Sequence, residues 1–129
     1  MKWITPEYLK NPREEINILK NISTIIQSDT SNKIIVTDYQ FLSSLISNVK
    51  ISPNKWYDEL SVPSENNKFF EIYKNFYLKK LKEQNINTIY IIGKSKKKFI
   101  DILFQDKDCF EEKNINDKLL KLKIENCTF

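Results

Sequence analysis

The sequence predicts an α/β fold, a small three-layer sandwich with a mainly parallel sheet of three to five strands and helices on both faces. Two β-branched runs carry that expectation, Lys33-Ile34-Ile35-Val36-Thr37 and Thr88-Ile89-Tyr90-Ile91-Ile92. Both are nearly continuous in apolar residues, as strands buried on two faces are. Amphipathic helical patterns lie between them, so a right-handed crossover would place the two runs side by side at the sheet centre. The 129 residues suit one domain, and no linker or internal repeat divides them.

Each element has its own signal. Asn11-Pro12-Arg13-Glu14 reads as a helix start. Asn11 can cap, Pro12 suits the first turn and Glu14 can reach back as in a capping box. Ile16, Leu19, Ile22 and Ile26 then recur at helical spacing. Gln27 to Asn32 is polar and turn-like, and the 33–37 strand follows. Asp38 stands where it can cap a second helix, whose apolar face is Phe41, Leu42, Leu45 and Ile46. Val49-Lys50-Ile51 is a candidate second strand. Residues 52–67 are irregular, with Pro53 and Pro63 and an aromatic pair at Trp56-Tyr57. A long aromatic helix is expected over about residues 66–84, then the 88–92 strand, ended by Gly93. Residues 96–104 form a short helix with Phe99, Ile100 and Leu103 inward. Leu120, Leu122 and Ile124 alternate with lysines, the pattern of a half-buried strand near an edge.

Composition removes several chemistries. There is no histidine, which excludes Ser-His-Asp and Cys-His catalysis and histidine metal sites. The formal net charge is +4, but of the 21 basic residues only Arg13 is arginine. Ala is absent while Ile occurs 19 times and Asn 14 times, the signature of AT-rich codons. Much of the lysine is therefore compositional drift, and a nucleic-acid partner, which usually calls for arginine, is not expected. With one glycine the chain has no Gly-rich phosphate loop and no dinucleotide fingerprint. No cofactor and no catalytic activity are expected, since no carboxylate pair has a spacing that suits acid/base work. No run reaches the ~20 apolar residues of a membrane span, and Met1 to Pro6 has no signal-like apolar stretch.

Open α/β sheets bind ligands beyond the carboxyl ends of their strands. Here those ends carry Asp38, Tyr39 and Gln40, and Gly93 with Lys94. They are the candidate crevice for a nucleotide or other anionic ligand; the plainer alternative is that Asp38 caps a helix and Gly93 turns the chain. In the loop, Asn54, Lys55, Trp56 and Tyr57 can stack on a sugar or meet a partner. Alternatively Trp56 plugs the long connection into the core. The aromatic helix is either core throughout or has one face for docking on another domain. Cys109 and Cys127 are either two reduced thiols or a bridge closing a loop of 18 residues. Such a bridge stabilises by roughly 3 kcal/mol in the loop-entropy picture.

Three stretches, Ile35-Val36-Thr37-Asp38-Tyr39-Gln40-Phe41, Ser52-Pro53-Asn54-Lys55-Trp56-Tyr57 and Asn67 through Phe76, together with the terminal cysteine pair, resemble a known family. It is the soluble C-terminal domain of bacterial GT-C type membrane glycosyltransferase-like proteins, and the resemblance spans about Trp3 to Phe129. It implies an accessory domain on the extracytoplasmic, periplasmic face of the membrane, without catalytic residues of its own. Its implied partners are the membrane-embedded catalytic region of the same longer protein and a glycan acceptor. That oxidising setting would favour the Cys109–Cys127 bridge. Without it, the chain reads as a free-standing cytoplasmic α/β protein that binds an anion.

Overall fold

The computed structural model describes residues 11–39, 41–54, 56–93, 96–104 and 110–125. The cysteine pair, Cys109 and Cys127, lies outside them, as do Gln40, Lys55 and Lys94. The element order is α1 (Pro12–Ser28), β1 (Lys33–Val36), α2 (Leu42–Leu45), α3 (Phe70–Glu83), β2 (Thr88–Ile92), α4 (Lys97–Leu103), β3 (Phe110–Asn114) and β4 (Leu119–Ile124).

The helix starts and strands follow their local chemistry. The Asn11 side chain accepts from the Glu14 amide at 3.3 Å, and its own amide donates back to the Glu14 carboxylate at 3.4 Å. Glu14 thus closes the capping motif on the cap's side chain. Leu19, Ile22 and Ile26 of α1 are buried as their spacing predicts. Each such side chain stabilises by about 1.5–3 kcal/mol relative to exposure. The long helix begins at Phe70, a few residues later than the pattern suggests.

The four strands form one sheet in the order β1-β2-β4-β3. β1 and β2 pair in parallel with Ile34 opposite Ile89 and Val36 opposite Ile91, as the two β-branched runs predict. The expectation of a mainly parallel sheet is corrected, because β2–β4 and β3–β4 are both antiparallel. The cause is local. β3 and β4 are joined by a connection of residues 115–118, too short for the crossover a parallel pair needs. β4 then inserts between β2 and β3, so it sits one strand in from the edge. This arrangement leaves β1 at the edge rather than the centre. Val49–Ile51 is not a second strand: Val49 makes one isolated parallel bridge to Lys33, and the Lys50 amide donates to the Lys33 carbonyl at 2.8 Å. The segment still covers the β1 edge, one of the usual ways an edge is shielded.

Side-chain alternation divides the core. Ile34, Val36, Ile89, Ile91, Leu120 and Leu122 belong to one cluster, with residues of α3, α4 and the 52–67 loop. Ile35, Tyr90, Ile92 and Leu119 belong to a second, with α1 and α2. Residues one apart on a strand point to opposite faces, so helices cover the sheet on both sides.

Two further expectations change. Asp38 does not cap α2, which starts after Phe41 with no side-chain cap. Instead the Thr37 hydroxyl accepts from the Tyr39 amide at 3.0 Å, turning the chain after β1. The aromatic helix is core only in part: Phe70 and Tyr77 are buried, while Phe69, Ile72 and Phe76 are exposed.

Candidate functional site

The carboxyl ends of β1 and β2 lie side by side because the two strands are parallel and in register. Beyond β2, Gly93 has φ +88, a left-handed turn that favours glycine. Its amide donates to the Lys118 carbonyl and its carbonyl accepts from the Lys96 amide, each at 3.0 Å. That turn delivers Lys96 to the space beyond both strands. The Lys96 ammonium pairs with the Asp38 carboxylate at 3.1 Å and donates to the Tyr57 carbonyl at 2.9 Å. One lysine therefore ties together the end of β1, the start of α4 and the long loop.

The loop is organised by short polar contacts. The Asp58 carboxylate accepts the amides of Leu60 and Ser61 at 2.9 and 2.8 Å. Hydrogen bonds from Ser61, then the amides and the nearby Lys96 charge, hold the Asp58 carboxyl below the usual carboxylate range. Asn54 donates to the carbonyls of Trp56 at 2.6 Å and Ser61 at 3.4 Å, so it shapes the loop rather than facing a ligand. Tyr57 is 2% exposed and Trp56 44%. The plug is therefore Tyr57, whose hydroxyl bonds those of Ser52 and Tyr77. Trp56 is only partly covered.

A depression of about 440 Å³ opens beside this junction, lined by Tyr57, Asp58, Glu59, Lys96, Lys98 and Phe99, with Leu60 also at its wall. Lys98 stands 5.0 Å above the Phe99 ring and 3.4 Å from the Glu59 carboxylate. Three acids, with Asp38 included, face two lysines, so the charge is nearly balanced. The pairing offers hydrogen-bond donors and acceptors beside apolar walls. Among the described residues no group of three or more His, Cys, Asp and Glu is placed to hold a metal ion.

Of the residues singled out in the sequence, Asp38, Tyr57 and Gly93 meet at this junction. Tyr39 does not. Its hydroxyl donates to the buried Glu15 carboxylate at 2.5 Å, and its ring packs at 6.3 Å against Phe41 on the α1 side of the sheet. Lys96 went unnoticed among twenty lysines; its position just after the turn glycine was the available signal. A second polar cluster went unnoticed too, at the amino ends of the strands. There the Asp29 carboxylate accepts from the Ser31 amide at 2.8 Å and the Tyr90 hydroxyl at 2.6 Å, and pairs with Lys121 at 3.2 Å.

Comparison with protein-family models, with curated proteins and with solved structures finds no match.

Proposed function

We propose that this chain is a non-catalytic binding domain that contacts a glycan at the carboxyl ends of β1 and β2, in the manner of an accessory domain of a membrane glycosyltransferase-like protein. The observation that carries the reading is the charge-balanced depression beside Lys96, with the half-exposed Trp56 next in the chain to its Tyr57 wall. Neutral sugars are recognised by paired donors and acceptors that take their hydroxyls, and by aromatic rings that take their apolar faces. Glu59 and Lys98, exposed at the rim of the depression, supply the first, and Trp56, next in the chain to the Tyr57 wall, is assigned the second. A nucleotide or other anion fits less well: Lys96 is already engaged by Asp38, and three carboxylates would repel a phosphate.

Tryptophan fluorescence tests this in a Trp3→Phe background, which leaves Trp56 as the reporter. Neutral oligosaccharides of hexoses and of N-acetylhexosamines are titrated beside a nucleoside diphosphate. Saturable changes are expected with a sugar and not with the nucleotide. An equilibrium method such as calorimetry should show affinity falling about tenfold or more in Trp56→Ala. Binding of the nucleoside diphosphate alone would replace the glycan with an anion. Silence towards both classes would end the binding reading.

A further inference from the structure

Helix α3 buries Phe70, Lys74, Tyr77, Leu78 and Leu81, and its exposed side carries an apolar stripe set among polar residues that include Glu71, Asn75, Lys79 and Glu83. Phe69, Ile72 and Phe76 are 56%, 69% and 46% exposed. They stand three and seven positions apart, so they line up on one side of the helix over about 10 Å. Lysines frame the stripe. The Lys68 amine sits 5.0 Å from the Phe69 ring centre, and the Lys80 amine 5.7 Å from that of Phe76. Lys79 adds a third ammonium at the carboxyl end, where Glu83 is shared between Lys79 at 4.0 Å and Lys80 at 3.3 Å.

We propose that this face of α3 lies on the surface of an anionic lipid bilayer, with Phe69, Ile72 and Phe76 in the acyl boundary and Lys68, Lys79 and Lys80 at the level of the phosphates. Charge complementarity selects the occupant. Each of these amines lies over the face of an exposed ring, and the flexible lysine stem lets it rise to headgroup depth when the ring is immersed, which is how interfacial helices combine aromatic and lysine residues. A second copy of the chain is disfavoured on the same face, because it would set these lysines against their own equivalents with Glu83 already paired. Among the described residues no helix is long and apolar enough to cross a membrane, so the contact is with the surface. The inference goes beyond the glycan reading and uses different residues.

Flotation of the full chain with vesicles is the test, using pure phosphatidylcholine against an equal mixture of phosphatidylcholine and phosphatidylglycerol. Partitioning onto the anionic vesicles is expected to be at least about tenfold stronger and to weaken as salt is raised. The double variants Phe69→Ser/Phe76→Ser and Lys79→Glu/Lys80→Glu should each lose about tenfold with unchanged circular dichroism. Trp56→Ala should bind vesicles as the parent does, which keeps this result separate from the glycan titration. Absence of binding, equal binding to both vesicle types, or unaltered binding of the double phenylalanine variant would overturn the proposal. So would a dimer in sedimentation that the same variant dissolves, which would give the face to a second copy.

Discussion

Tyr57→Ala is expected to destabilise the fold by about 3–5 kcal/mol, the range for removing a fully buried aromatic side chain. For a chain of this length that corresponds to a melting temperature lower by roughly 10–20 °C. The ring lies in the core cluster with Val62 and Phe70, edge-on to Tyr77 at 6.3 Å. Its hydroxyl bonds that of Tyr77 at 2.7 Å and also that of Ser52. Burial raises the Tyr57 and Tyr77 hydroxyls above their ordinary range, so both remain neutral donors and acceptors at physiological pH. The truncation therefore opens a cavity and leaves the buried Tyr77 hydroxyl and the half-buried Ser52 hydroxyl short of a partner. Tyr57→Phe separates these effects: it keeps the ring and should cost only about 1–2 kcal/mol. Trp56→Ala should cost less than about 1 kcal/mol, because that side chain is nearly half exposed. Denaturant titration of the three variants checks the order. Equal losses for Trp56→Ala and Tyr57→Ala would mean that both rings pin the loop.

The contrast between Trp56 and Tyr57 marks where local pattern stops being informative. Adjacent aromatics in an irregular loop carry no period, so the sequence could not say which of them turns inward. Ser52 and Tyr77 decide it, and Tyr77 lies on another element. The central strands were legible for the opposite reason. Ile34 to Val36 and Thr88 to Ile92 are buried along their whole length, so burial is written as an unbroken apolar run. β3 was invisible because Phe110-Glu111-Glu112-Lys113-Asn114 lies at an edge and exposes most of its side chains. It is held by backbone pairing to β4 and by Glu111 opposite Lys123. Missing it turned a mixed sheet into a mainly parallel one. The crevice was legible in outline, since the rule of strand carboxyl ends located Asp38 and Gly93. Lys96, which joins the loop to Asp38, was not, because its side-chain partners, Asp38 and Tyr57, come from two other segments distant in the sequence.

Asp29 is the other position where one substitution should matter most. It follows the last turn of α1, where its amide donates to the Ile26 carbonyl at 3.1 Å. Its carboxylate, with a side chain 15% exposed, accepts from Tyr90 on β2 and pairs with Lys121 on β4. Its carbonyl accepts from the ammonium of Lys33 on β1. One residue thus joins the end of α1 to three strands. Burial pushes the Asp29 carboxyl up, but the hydrogen bonds from Ser31, Tyr90 and Lys121 outweigh it and hold the group well below 3.8. Lys33 is itself fully buried, and burial lowers its ammonium while the Asp29 charge supports it. Asp29→Ala removes that charge and leaves the Tyr90 hydroxyl without its acceptor and Lys121 without its carboxylate. A loss of about 2–4 kcal/mol is expected, below the full cost of breaking a buried pair because Lys121 retains some contact with water. Asp29→Asn keeps the size and part of the bonding, and should lose less. The pH dependence carries the sign of the depressed carboxyl. In the unfolded chain Asp29 takes a proton near pH 3.8, while in the fold it stays ionised to lower pH. Its contribution is therefore complete at neutral pH and declines as pH falls through and below about 4. Urea unfolding at neutral pH and at pH about 3 should show the parent losing more stability than Asp29→Asn between the two. Parallel losses in both proteins would mean that other carboxylates, not Asp29, control the acid limb.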